Sequence, residues 1–131
     1  MQRAIVMAMM CVVLAGCGEA ERLVNAVFAT PTPVLSQAEL TMELCSLSSK
    51  YAEAADGGRT LILDGEGEES AGLHIEDLAC ALKYMQVPSF VVSTMEKTRA
   101  LDGIQREEYD NFKISWSYHP DNGLDVVITE K

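Results

Sequence analysis

Phe112, Ile114, Trp116 and Tyr118 alternate with Lys113, Ser115 and Ser117. That two-residue period gives a strand one apolar face and one polar face. His119-Pro120-Asp121-Asn122-Gly123 follows, with Pro120 set to open a type I turn and Gly123 free to take a positive φ. Leu124, Val126 and Ile128 then return on the same side. The pattern is a β-hairpin with one apolar face, and a hairpin alone is marginal in water, so other elements must cover that face. Trp116 and Tyr118 are accordingly expected in the core rather than on a ligand platform.

The cover has to come from upstream helices. Ser36-Gln37-Ala38-Glu39 fits a capping box, with Leu35 and Leu40 placed for a hydrophobic staple. Leu40, Leu44, Leu47, Tyr51 and Ala55 follow at helical spacing and predict one long buried stripe, stopped by Asp56-Gly57-Gly58. Thr60-Leu61-Ile62-Leu63 is a short strand, and the segment from Asp64 to Ser70 is an acidic loop. A second helix is expected from Ile75 to Met85, burying Ile75, Leu78, Ala79, Leu82 and Met85, with Glu76 and Asp77 favourable at its amino end. Pro88 breaks the chain, Ser89 is placed to cap a third helix, and Asp102-Gly103 ends it. The expected architecture for residues 36–131 is α+β: three helices on one side of a small, mostly antiparallel sheet, in the order α-β-α-α-β-β.

The first residues carry a different signal. Arg3 precedes an uncharged apolar run from Ala4 to Ala15, which suits a signal-peptide core and is shorter than the ~18 residues a membrane span needs. Leu14-Ala15-Gly16-Cys17 resembles the lipobox of bacterial lipoproteins. The resemblance implies cleavage between Gly16 and Cys17, a diacylglyceryl group on the Cys17 sulfur, and a domain held on the extracytoplasmic side of the cell membrane, or at the outer membrane of a Gram-negative host. Two acyl chains anchor stably where one does not. Residues 1–16 are then the signal peptide and 17–35 a tether, which contains Thr30-Pro31-Thr32-Pro33.

Cys45 and Cys80 remain after the anchor, and Cys11 lies in the discarded segment. Outside the membrane the two can pair, and closing the loop between them stabilises a small domain by about 3–4 kcal/mol in the chain-entropy model. If both lie in the expected helices, each sits about 140° from its apolar stripe, so the bond ties flanks together rather than crossing the core. The chain carries a formal charge of −10, which repels nucleic acid and anionic headgroups. The charge is expected by default to serve solubility; the alternatives are that it attracts cations or a basic protein face.

No residue set predicts a reaction. Asp64, Glu66 and Glu68 alternate as calcium ligands do, but the sixth position is Glu69 rather than Gly and the twelfth is Ile75 rather than Glu. Neither a metal nor a cofactor is expected. His74 and His119 are the only histidines, and no nucleophile motif accompanies them; Cys80 is better explained as half of a disulfide. Tyr109, among Glu107, Glu108 and Asp110, is expected to be exposed, and Arg99, Arg106 and Lys113 are too scattered for an anion site. The stretches Thr98-Arg99-Ala100-Leu101-Asp102-Gly103 and Trp116 to Asp125 are similar to uncharacterised small exported proteins of high-GC Gram-positive bacteria. Two helices, a Pro between them and a hairpin bearing Trp-x-Tyr resemble small envelope lipoproteins and β-lactamase-inhibitor-like domains, which act by binding proteins. The expected function is therefore a membrane-anchored binding or scaffold module for another envelope or extracellular protein. The alternatives are a prophage-type superinfection-exclusion lipoprotein and a small exported hydrolase.

Overall fold

The computed structural model describes residues 34–131. Helix α1 (Gln37–Leu44) starts at the capping box read from the sequence: Ser36 Oγ accepts from Glu39 N–H at 3.2 Å, and Glu39 Oε2 accepts from Ser36 N–H at 2.8 Å. The helix then stops much earlier than its apolar spacing predicts. Ser46 takes a left-handed φ of 52°, Leu47 N–H donates to Met42 O and Ser46 N–H to Glu43 O. That is a Schellman termination, which turns Leu47 back toward Met42. The continuation is not helix but the edge strand β1 (Ala52–Ala55).

The buried stripe of α1 is corrected accordingly. Leu40 and Leu44 are exposed, and Ala38 and Thr41 face the core. Small side chains let the helix lie close to the sheet. The turn Asp56–Gly58 after β1 abuts the capping box, where a side chain on Gly58 would meet Ser36 and Glu39. The buried Thr41 hydroxyl donates to Gln37 O at 2.7 Å and lies 3.4 Å from the Met85 sulfur.

Strands β2 (Thr60–Asp64), β3 (Gln105–Tyr109), β4 (Phe112–His119) and β5 (Gly123–Glu130) complete a five-stranded sheet ordered β1-β2-β5-β4-β3, every neighbouring pair antiparallel. Its second and third helices are α2 (Ile75–Tyr84) and α3 (Ser89–Met95). The α+β class, the helices on one face and the hairpin hold. The order is α-β-β-α-α-β-β-β, longer by the two edge strands. β3 hid behind its charges, Arg106, Glu107 and Glu108. At an edge these are exposed, with Glu108 opposite Lys113 across the ladder.

Register places Leu61, Leu63, Ile114, Trp116, Val126 and Ile128 on one face, all at or below 2% exposure, against Leu78, Ala81, Leu82, Met85, Val91 and Met95. Ile75 and Ala79, expected inside, are exposed. The stripe of α2 runs through Ala81 instead, three residues after Leu78 on the inward side. Ser89 is the first residue of α3, with Pro88 before it at the cap, and the helix ends at Met95. The turn Ala100–Asp102 and Gly103 follow separately.

Tyr109 reverses its expectation. It is 7% exposed, its ring stacks on Phe112 at 5.6 Å, and its hydroxyl donates to Met85 O at 3.2 Å. As the last residue of β3 it points to the helix face, opposite Phe112, while Glu108 projects from the other face and Glu107, opposite Ile114, stays exposed along the sheet edge. Tyr118, expected in the core, lies at the hairpin tip and is half exposed.

Candidate functional site

Cys17 and the cleavage position lie outside the described residues. Cys45 and Cys80 form a disulfide, with sulfurs 2.09 Å and Cα atoms 5.9 Å apart. Cys80 sits on the flank of α2, as expected. Cys45 caps α1 in line with Ala38 and Thr41, on the buried side of that helix. The bond therefore fixes the end of α1, and with it the turn that leads into β1.

That turn shapes a groove of about 500 Å³ between α1 and β1. Met42, Leu47, Ala52 and Ala54 supply its apolar lining, and Glu39, Glu43 and Glu53 supply carboxylates. Bonding to Ser36 lowers the Glu39 pKa, first through the backbone N–H and then through the hydroxyl, so it stays ionised. Lys50, nearby in sequence, lies over the Tyr51 ring at 4.9 Å.

Among the described residues, the backbone beside the groove has no partner strand. β1 is outermost in the sheet. Asp64 N–H donates to Tyr51 O at 2.8 Å, and the alternation of an antiparallel ladder then directs Glu53 and Ala55 at β2. Ala52 and Ala54 consequently direct their backbone groups outward. Ala52 N–H confirms that polarity by donating to Ser48 O at 2.9 Å. Among the described residues, the Ala54 N–H and the carbonyls of Ala52 and Ala54 have no strand partner. The sequence reading missed this edge because it extended the helix through Ala55. The alternation of Glu53 between Ala52 and Ala54, after Ser48-Ser49, was the available signal.

The acidic loop forms the opposite kind of surface, closed on itself. Glu68 and Glu69 N–H donate to Pro120 O and Asp121 O at 2.8 and 3.0 Å, and Ser70 Oγ donates to Asn122 O at 3.0 Å. Gly123, at φ 94°, lets the Glu66 backbone pass where a Cβ would stand. Both histidines lie near here, each beside its own carboxylate: His74 Nδ1 is 2.7 Å from Glu66 Oε1, and His119 Nδ1 is 3.6 Å from Asp121 Oδ2. Glu66 raises the His74 pKa, chiefly through that hydrogen bond. Burial, then Asp64, raises the Asp125 pKa. Among the described residues, no group of three or more His, Cys, Asp or Glu side chains is arranged to hold a metal ion. Arg99 is engaged locally, bonded to Asp102 at 3.1 Å.

Comparison of the chain with family models, curated proteins and solved structures finds no match.

Proposed function

We propose that this chain is a lipid-anchored extracytoplasmic lipoprotein whose domain binds another protein of the cell envelope or its surroundings. Leu14-Ala15-Gly16-Cys17 behind the apolar run supports the anchor. The Cys45–Cys80 bond is consistent with an oxidising compartment. The observation that carries the binding reading is the edge of β1, unpaired among the described residues, beside an apolar, acid-rimmed groove. A sheet edge left open is a template for another chain, and proteins that do not use such edges blunt them. β3 carries three charges along its edge, Arg106, Glu107 and Glu108; β1 is short and carries one, Glu53, between alanines, which admits a strand of opposite charge more readily than one of like charge.

Photo-crosslinking in intact cells tests this, with the cross-linking residue placed in turn at Ser49, Leu101 and Lys113. Capture of a defined envelope or extracellular protein from at least one position, identified by mass spectrometry, is the expected result. Absence of any specific adduct from all three sides of the domain overturns the binding role. The anchor is tested separately: Cys17→Ala should abolish labelling by a clickable fatty acid, and undiminished labelling of that variant refutes it.

A further inference from the structure

Given the binding role proposed above, the groove beside β1 also indicates what kind of chain would fit it. We infer that β1 accepts an extended basic segment of a partner protein as a sixth strand, with small apolar residues alternating with Lys or Arg.

The hydrogen-bonding groups are in place for this. Ala54 presents both N–H and C=O outward, and Ala52 adds a carbonyl, so an added strand can exchange a pair of bonds with Ala54 and donate once more to Ala52. Side chains on that strand must alternate between the two faces of the sheet. Those on the helix face would lie next to Ala52 and Ala54 and over Met42 and Leu47, where the alanines leave room for a Val-sized side chain. Those on the other face would lie next to Glu53, at the lateral spacing where opposite charges attract and like charges repel. Glu39 and Glu43 on α1 add negative charge along the same groove.

Charge also decides against a second copy as the occupant. Pairing two β1 strands would bring together two sets of Glu39, Glu43 and Glu53, each on a chain of net charge −10. Such like-charge juxtaposition suppresses the wrong partner. A basic strand gains directly from Glu53 beside it, and from Glu39 and Glu43 through the negative field they add along the groove.

The test uses the full chain in detergent and two synthetic peptides, one alternating Lys with Val and the other alternating Glu with Val, read by amide hydrogen exchange and by titration. The Lys/Val peptide should slow exchange at Ala54 and weaken as salt is raised, and the Glu/Val peptide should leave exchange unchanged. Ala54→Pro removes the outward donor at a position where an edge strand tolerates proline, and should abolish binding. Glu43→Lys combined with Glu53→Lys alters only exposed side chains and should weaken binding by roughly tenfold, which keeps the test valid if the proline variant misfolds. Equal binding of both peptides, protection elsewhere but not at β1, or unaltered affinity in the charge-reversed variant overturns the inference. Capture of a partner in cells through Leu101 or Lys113 but not Ser49, with no peptide binding at β1, would sink this inference while leaving the binding role intact.

Discussion

The indole Nε1 of Trp116 donates to Thr98 Oγ1 at 2.9 Å, tying the middle of β4 to the segment that follows α3. The ring is 2% exposed, opposite Val126 on one side and Gln105 on the other. Trp116→Ala should cost about 3–5 kcal/mol, a large share of the stability of a small domain. Thr98→Val keeps the shape but strands a buried N–H, at about 1–3 kcal/mol. Ser115→Ala, on the face away from the helices, should stay within about 0.5 kcal/mol. Urea unfolding of the three variants should give that ranking. Equal destabilisation by Thr98→Val and Ser115→Ala would show that the indole bond contributes nothing.

The disulfide spans 35 residues of sequence and links the end of α1 to the flank of α2. Restricting the unfolded chain over a loop of that length is worth about 3–4 kcal/mol. The Cys45→Ala, Cys80→Ala double variant should therefore lose that stability in thermal unfolding, and reductant should lower the melting temperature of the native chain but not of the variant. Because Cys45 sits where α1 turns into β1, hydrogen exchange should rise first at Leu47 and Ala52. Unchanged exchange there would mean that the Schellman turn holds without the bond.

The buried centre of this fold was legible in the residues because its signals are local. A two-residue period in Phe112–His119 and Gly123–Glu130, and the box Ser36 to Glu39, each encode one element within a few neighbours. The edges were not. Leu47, Tyr51 and Ala55 keep helical spacing by coincidence, and a single left-handed residue, Ser46, breaks the helix before them. Non-glycine residues rarely adopt that conformation, so composition gave no warning. The groove disappeared with the strand, since it exists only where β1 lies beside α1. Tyr109 shows the same limit from the other side: its neighbours in sequence are charged, but its position at the end of β3 aims it inward.

That buried hydroxyl makes a pH-dependent expectation. Burial, and secondarily Asp110, pushes the Tyr109 pKa up from 10.0 to about 12. Between those values the unfolded chain loses its phenolic proton and the folded chain keeps it, so stability contributed below pH ~10 is lost as pH rises toward about 12. Tyr109→Phe should flatten that alkaline loss, and at neutral pH cost about 0.5–1.5 kcal/mol for the bond to Met85 O. Denaturant midpoints measured across the alkaline range check both. An equally steep decline in the phenylalanine variant would assign it to another group.

The contact between His74 and Glu66 closes the acidic loop over the start of α2, and it should respond at milder pH. His74 caps α2 without a side-chain bond to the helix, so its ring is free to meet Glu66 Oε1 at 2.7 Å. The hydrogen bond to Glu66, then its charge, raises the His74 pKa above 6.5, so the protonated ring is favoured in the folded state. The contribution to stability is fully present below the unfolded value of about 6.5 and is lost as pH rises through the folded value. Both groups are solvent-exposed, so the global effect should be small and local measurement is the sensitive one. NMR titration should place the His74 midpoint above that of an unperturbed imidazole, and Glu66→Gln should bring it back down. In the native chain, exchange at the Leu73 and Glu66 amides, which bond to Asp64 O and Leu73 O, should quicken as His74 deprotonates. Exchange that is independent of pH, after correction for its intrinsic rate, would show that the Gly123 backbone approach and the bonds to Pro120 and Asp121 hold the loop unaided.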